Sequence, residues 1–146
     1  MPGLQNKMNS VRMPRSIFNR LLQLAKNSPA EEICGLISRD RHGFKKCYPV
    51  ANTAGDKKRF FMLDPHGQIA AMRLMRENDE ELAAIYHSHP ATPPLPSPAD
   101  IEQHEYPDSL YLIISLKTKG EPEMRGFYIR GRDIDEVSIG LEGESP

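Results

Sequence analysis

Two histidines in the middle of the chain, His87 and His89, are the residues whose type and spacing most directly indicate chemistry. They follow the apolar run 82–86, which is short and bounded by acidic residues and therefore predicts a buried strand. Residues two apart in a strand point to the same face of the sheet. Both imidazoles are therefore predicted to share one face, and neutral imidazole is a common zinc ligand.

Asp100 is the natural candidate for a third ligand, because catalytic zinc usually combines three protein ligands with one open position. Five prolines, at positions 90, 93, 94, 96 and 98, limit the conformations of the connection from His89. The segment Ser97-Pro98-Ala99-Asp100 is also an ordinary helix start, with serine at the N-cap and an acid at N3. Ser97 can serve both interpretations, whereas they compete for the carboxylate of Asp100.

The complete arrangement, His87-x-His89, seven residues, Ser97, two residues and Asp100, resembles the signature of the JAMM/MPN+ metalloproteases. The second element of that signature is a glutamate just before a short apolar strand, and the segment Glu32-Ile33-Cys34-Gly35-Leu36-Ile37 is similar to it. By themselves Glu31 and Glu32 are typical of a solvated acidic turn. The spacing to Gly35 in the family selects Glu32. The resemblance extends from about residue 13 to residue 129 and is nearest to the small stand-alone prokaryotic members.

This resemblance implies one zinc ion per chain, held by His87, His89 and Asp100. It also implies that Glu32 is the general base and that Ser97 donates a hydrogen bond to the developing oxyanion. Members of the family cleave amide or isopeptide bonds after the C-terminal glycines of ubiquitin or ubiquitin-like proteins. The small prokaryotic members act on ubiquitin-like sulphur-carrier proteins. The predicted activity is hydrolysis after the diglycine end of such a carrier or its conjugate.

Two other functions fit parts of the sequence. RadC-type proteins, which are associated with DNA repair, have a similar His-x-His-Pro and Ser-x-x-Asp segment. They usually carry an N-terminal helix-hairpin-helix module, and the sequence has no glycine-rich hairpin that would form one. A JAMM-fold protein can also be a non-catalytic binding scaffold. Inactive relatives typically lose the ligands, whereas all five signature residues are present here.

The elements that must position these residues alternate between helices and strands. Apolar periodicity and capping residues predict three helices, over 14–27, from Asp64-Pro65 onward, and over 98–105. In the second helix, Ile69, Met72 and Met75 are predicted to face inward. Apolar segments predict strands over 31–37, 47–50, 59–63, 82–86, 110–116, 124–129 and 134–141. The order predicts an α/β (α+β) fold, a single domain with a mixed sheet flanked by helices. It agrees with the JAMM fold, which is related in architecture to the cytidine deaminases.

Length and composition fit one globular domain, since the chain has 146 residues, of which 38% are hydrophobic and 27% charged. Residues 13–141 are predicted to form the JAMM/MPN+ domain, with a disordered segment at 1–12 and a loose end at 142–146. The net charge of −1 gives no bulk attraction to nucleic acid or to an anionic membrane, so neither is a predicted partner. No apolar run is long enough to span a membrane, and residues 1–12 lack a signal-peptide core.

Two cysteines, Cys34 and Cys47, are too few for a disulfide framework. Each lies in a predicted strand, so we expect buried, reduced thiols and a cytoplasmic protein. No basic neighbour identifies Cys34 as a nucleophile. His104 lies one helical turn after Asp100 and is interpreted as a surface histidine, the alternative being a partner or spare ligand of the metal site.

Overall fold

The computed structural model describes residues 10–117 and 121–143, which form a sheet with helices on both faces. In chain order, the elements are β1 (Ser10–Met13), α1 (Arg15–Lys26), β2 (Cys34–Asp40), β3 (Gly43–Val50), α2 (Pro65–Glu77), β4 (Glu81–His89), α3 (Pro98–Gln103), β5 (Leu110–Ser115), β6 (Glu123–Arg130) and β7 (Asp133–Leu141). The strands lie side by side in the order β1-β7-β6-β5-β4-β2-β3. The pairs β1–β7 and β4–β5 are parallel and the others antiparallel. The predicted single domain with a mixed sheet flanked by helices is confirmed.

One face of the sheet is covered by α1, as the helical spacing of its apolar residues predicted. Ile17, Leu21 and Ala25 recur every four residues along the helix and are buried. They join a cluster with inward-facing residues of the strands, among them Tyr86 and Leu112. Fully burying a side chain such as Leu21 contributes about 1.5–3 kcal/mol, so this stripe is what holds α1 to the sheet.

The opposite face carries α2 and, at its edge, the predicted metal ligands. Ala71 and Met75 of α2 pack in a cluster with Ile85 of β4. Because side chains alternate along a strand, His87 and His89 follow Ile85 onto this same face. The histidines therefore sit at the end of the face that α2 covers.

The predicted inward stripe of α2 is partly wrong. Met75 is buried, but the side chain of Ile69 is 59% exposed. The helix instead approaches the sheet along Gly67, Ala71 and Met75, which lie four residues apart. A Cβ on Gly67 would lie 3.1 Å from Val50, so this close approach favours glycine and turns Ile69 outward.

The neighbouring strands β2 and β4 pack closely where the ring of Tyr86 lies over Gly35. Gly35 pairs directly with Tyr86 across the two strands. A Cβ on Gly35 would overlap the Tyr86 ring and would lie 2.6 Å from the carbonyl oxygen of Tyr48. Glycine is therefore required at this position by packing and not by backbone conformation. The contact fixes the register between the strand after Glu32 and the strand that carries the histidines.

The strand predicted over 59–63 is not formed. Only Leu63 makes a bridge, to Asn52, and the amide hydrogens of Arg59 and Phe60 bond to the carbonyl of Asp56 in a turn. The Asn52 side chain accepts from the amide of Met62 and donates to the carbonyl of Phe60. Together with a backbone bond from the Thr53 amide to the Met62 carbonyl, these side-chain bonds take the place of a regular ladder.

The predicted disorder over 1–12 is wrong for residues 10–12, which belong to β1. Val11 and Met13 are buried, and the strand pairs in parallel with β7. The local sequence is too short to signal a strand, and pairing with β7, distant in sequence, decides it. The backbone amide of Glu142 donates to the Met13 carbonyl at 2.9 Å. The first residue of the segment predicted to be loose, 142–146, is therefore held against β1. Residues 1–9, 118–120 and 144–146 lie outside the described part, and the domain bounds 13–141 stay a prediction.

Candidate metal centre

The end of β4 places two buried imidazoles against each other. β4 lies between β2 and β5, and His87 sits opposite Cys34 on one side and Ile113 on the other. The side chain of His87 is 1% exposed and that of His89 is 3% exposed. Their Nε2 atoms are 3.1 Å apart. The predicted shared face is therefore what the structure shows.

Asp100 completes a group of three donor atoms with the histidines. Its Oδ2 lies 3.1 Å from Nε2 of His87 and 3.2 Å from Nε2 of His89. The same Oδ2 accepts from the backbone amide of Ser97 at 2.9 Å, and the Asp100 amide donates to the Ser97 hydroxyl oxygen at 3.1 Å. The capping box and the ligand geometry are thus both present. The helix cap and the donor triangle therefore do not compete for the Asp100 carboxylate, because the same Oδ2 atom accepts from the Ser97 amide and lies beside both histidines.

The three donor atoms fit a zinc ion. Zinc bonds of about 2.0–2.1 Å in a tetrahedron place neighbouring donors about 3.3 Å apart. The observed separations of 3.1, 3.1 and 3.2 Å are close to that edge length. Two imidazole nitrogens and one carboxylate oxygen also match the ligand types that zinc accepts. Burial opposes ionisation of Asp100, but the charge of His87 and hydrogen bonds from both histidines hold the Asp100 pKa well below its usual range.

The two histidines are oriented by different contacts. Nδ1 of His89 donates to the carbonyl of Pro93 at 2.8 Å, which leaves the Nε2 lone pair directed at the other donors. Burial lowers the pKa of His89, but hydrogen bonds to Asp100 and Pro93 outweigh it and raise the pKa overall. Nδ1 of His87 has no hydrogen-bond partner among the described residues. The ring of His87 is instead stacked on Phe61, with centroids 4.3 Å apart and planes inclined by 19°.

Replacement of Phe61 by leucine is expected to weaken zinc binding about tenfold, the lower end of the range for residues that orient a ligand. Leucine keeps the apolar volume but removes the flat surface that holds the His87 ring. Phe61→Tyr retains the ring and is the matched control. Chelator competition measures the zinc affinity of both variants. Equal affinity in Phe61→Leu and the parent would show that stacking does not orient His87.

Glu32 lies beside this group, just before β2. Its side chain is buried, at 5% exposure, and Oε1 has no hydrogen-bond partner in residues 10–117 and 121–143. Donor atoms of Glu32, His87 and His89 all lie within 4.8 Å of one another. Burial raises the pKa of Glu32 to about 8, opposed by His89 and reinforced by Asp100 and Asp56. Glu32 is therefore close to the donor triangle with a carboxylate oxygen that is free to exchange a proton.

Two positioning residues that the sequence interpretation missed hold Glu32 in this place. Ser88, between the two histidines, accepts from the Ile33 amide at 2.9 Å and donates its own amide to the Ile33 carbonyl at 3.0 Å. Asn52 donates to the carbonyl of Glu32 at 2.9 Å. The Glu32 amide donates to the carbonyl of Lys57 at 2.7 Å. The position of Ser88 inside the His-x-His element was the one sequence signal that could have indicated its role.

Comparison with known proteins identifies the family. The family model described as prokaryotic homologs of the JAB domain matches residues 14–129. The chain belongs to this family. The resemblance to the JAMM/MPN+ metalloproteases, in their prokaryotic form, is thereby confirmed.

Several relatives of this JAB-domain chain span nearly all of it. The desampylase of Haloferax volcanii is 27% identical over 129 residues, which cover 87% of this chain and 90% of that protein. The CysO-cysteine peptidase of Mycobacterium tuberculosis is 27% identical over 126 residues, or 86% of each chain. The solution structure of a Desulfitobacterium hafniense protein, 32% identical, gives a TM-score of 0.81 over 91% of this chain and 93% of that one.

Ser97 of the JAB domain begins α3 beside the donor triangle. Its Oγ accepts from the Asp100 amide as N-cap, and that bond does not use the hydroxyl hydrogen. The side chain is half-buried. Ser97 therefore sits next to a predicted ligand with a donor available, as the motif indicated.

Two residues whose roles the sequence left open lie outside the donor triangle. The Cys34 thiol contacts the carbonyl of Val50 at 3.4 Å, and burial, reinforced by Glu32, raises its pKa to about 12. Both cysteines of the chain are buried, as expected, and neither forms a disulfide. Nδ1 of His104 donates to the carbonyl of Ile101, at the end of α3. A thiol with a raised pKa is a poor nucleophile, so the JAB domain offers Glu32 and not Cys34 for chemistry.

Proposed function

We propose that this JAB-domain protein is a zinc-dependent metallopeptidase. It cleaves the amide bond after the C-terminal diglycine of a ubiquitin-like sulphur-carrier protein or of its conjugate. The observation that carries the proposal is the triangle of two imidazole nitrogens and one carboxylate oxygen, with the unpartnered Glu32 oxygen beside it. Relatives named as a desampylase and a CysO-cysteine peptidase support the kind of substrate.

The chain's own groups divide the hydrolysis between them. His87, His89 and Asp100 would hold one zinc ion, which would supply Lewis-acid chemistry at this place by lowering the pKa of water and polarising a carbonyl. Glu32 takes a proton from the attacking water and passes it to the leaving nitrogen, so its carboxylate is recovered at the end. Ser97 donates its hydroxyl hydrogen to the oxygen on which negative charge develops. Cys34 takes no part.

The proposal is tested by mass spectrometry of carrier proteins that bear C-terminal extensions, incubated with the purified protein. We expect loss of the extension after the diglycine, abolished by a zinc chelator and restored by added zinc. Cleavage that survives chelation would contradict the zinc mechanism. No cleavage together with DNA binding would favour the RadC-like alternative. Carrier binding without cleavage would favour the non-catalytic scaffold.

Replacement of Ser97 by alanine is expected to lower kcat about 100-fold, the effect of removing an oxyanion donor worth ~3 kcal/mol. KM should change little, because the charge that Ser97 stabilises exists only in the transition state. Ser97→Thr keeps both the hydroxyl donor and the N-cap and should retain most of the activity.

Steady-state kinetics are combined with thermal unfolding, because Ser97→Ala also removes the α3 cap, at a cost of about 1 kcal/mol in the free energy of unfolding. A loss of stability without a loss of kcat would show that Ser97 is only a cap.

We further propose that the protein works in the cytoplasm, where buried thiols such as Cys34 and Cys47 stay reduced. None of the helices in the described ranges 10–117 and 121–143 is long and apolar enough to cross a membrane.

A further inference from the structure

A cavity of about 570 Å³ opens directly beside the donor triangle, and His87 and Asp100 form part of its wall. Its floor is the sheet, through Ile85, Ile113 and Ile129. Ligand sites commonly have volumes of about 300–1,000 Å³ and mostly apolar walls. The cavity therefore has the size and place of a substrate pocket that adjoins the reacting centre.

The outer wall of the cavity is acidic. Glu102 and Glu105 line it on either side of His104 in the sequence, and both glutamates are exposed. No lysine or arginine of the described residues lines the cavity. An uncharged aliphatic chain can pack on the apolar floor of the cavity. A carboxylate that lies past the donor triangle, against Glu102 and Glu105, would face like charges with no lysine or arginine in the lining to pair with it.

The acidic wall is held in place by hydrogen bonds across the cavity. Tyr111 belongs to β5, and its hydroxyl oxygen accepts from the backbone amides of Glu105 and Tyr106, each at 3.0 Å. The side-chain amide of Gln68 in α2 donates to the hydroxyl oxygen of Tyr106. The segment after α3 is thus tied both to the sheet and to α2, so the cavity is preformed.

The carrier side of the scissile bond, which ends in the diglycine, has no side chain that could fill this cavity. Its last two residues are glycines, which span up to about 7 Å and carry no side chains. The cavity, in contrast, begins at the ligands themselves. A side-chain-sized space in contact with the reacting centre therefore suits the group attached to the leaving nitrogen.

We propose that the cavity receives the leaving-group side of the substrate and selects an aliphatic stem, such as that of a conjugated lysine, over an amino acid with a free α-carboxylate. The inference rests on the proposed hydrolysis. In that reaction the C–N bond breaks, the carbonyl carbon gains the water oxygen, and the leaving nitrogen gains a proton. Glu102 and Glu105 are the specificity-determining residues, since they exclude the carboxylate.

The test uses three substrates with the same carrier tail and diglycine. The tail is joined to the side-chain nitrogen of Nα-acetyl-lysine amide, to the α-nitrogen of norleucine with a free carboxylate, or to the α-nitrogen of norleucine carboxamide. We expect kcat/KM for the lysine isopeptide to exceed that for the free acid about tenfold or more, with the carboxamide close to the isopeptide. High salt should narrow the difference, because the repulsion at the exposed wall is screened.

The double variant Glu102→Gln/Glu105→Gln should raise kcat/KM for the free acid several-fold relative to that for the isopeptide, because it removes the repulsion that only the free acid meets. Equal cleavage of all three substrates by the parent, or no gain for the free acid in the variant, would overturn the inference and leave the proposed function intact. An equal change for all three substrates would also overturn it, because the wall would then contact the shared carrier tail. Failure to cleave any substrate would instead overturn the proposed function.

Discussion

Glu32→Gln is expected to lower kcat about 10²–10⁴-fold, the range for loss of a general acid–base group, while one zinc ion per chain stays bound. Glutamine keeps the shape of the side chain but cannot accept a proton. Glu32 is outside the triangle of 3.1–3.2 Å separations, so its removal should not weaken the metal site. Two quantities are measured on the same sample: substrate cleavage, by mass spectrometry, and zinc content, by atomic emission.

Glu31→Gln is the matched control, because Glu31 is the neighbouring acid and is exposed. Its activity and zinc content should equal those of the parent. Loss of zinc in Glu32→Gln would contradict the assignment of Glu32 as base. Such a loss would mean that Glu32 is itself a ligand with His87 and His89, an arrangement that their separations of up to 4.8 Å permit.

Asp100→Asn is expected to remove most of the zinc and with it the activity. The amide oxygen is neutral and is a far poorer zinc ligand than the carboxylate. Asparagine can still accept from the Ser97 amide, so α3 should keep its start, whereas the contacts of the carboxylate with His87 and His89 are weakened. The loss of function is therefore assigned to the metal and not to the helix.

The measurement is zinc content and chelator-competition affinity, alongside thermal unfolding of metal-free parent and variant. His87→Ala tests a second corner of the triangle and should also lose zinc. Asp108→Asn, which removes an exposed carboxylate beyond α3, is the control and should bind zinc as the parent does. Full zinc content in either ligand variant would refute the proposed ligand set.

Much of the candidate site was predictable because it depends on local regularities. His87 and His89 share a face because a strand repeats every two residues. The start of α3 followed from the preference for serine before proline and for an acid three residues after the cap. The helix at 15–26 followed from the helical spacing of Ile17, Leu21 and Leu24. In each case the information lies within a few residues of the element concerned.

The errors arose where a distant partner decided the outcome. β1 forms because it pairs with β7, a strand that lies more than 120 residues away in the sequence. The segment 59–63 is not a strand because it begins in a turn at Asp56 and the side chain of Asn52 takes two of its backbone hydrogen bonds. Ile69 faces outward because the close approach at Gly67 sets the rotation of α2. None of these partners lies within the window in which periodicity can be recognised.

By itself, the sequence determined which residue types and spacings meet at this site: two imidazoles on one strand, an acid at the start of a helix and a glutamate before another strand. Only the tertiary structure decided how they share their bonds. It places a single oxygen of Asp100 within reach of both the helix cap and the two histidines, and it bonds Ile33, the neighbour of Glu32, to Ser88 between those histidines. It also forms a cavity with an acidic wall beside His87. The physical reason is the distance along the sequence over which each effect acts. Periodicity and capping act over a few residues, whereas the separations of the donor atoms depend on how β2, β4 and α3 pack together.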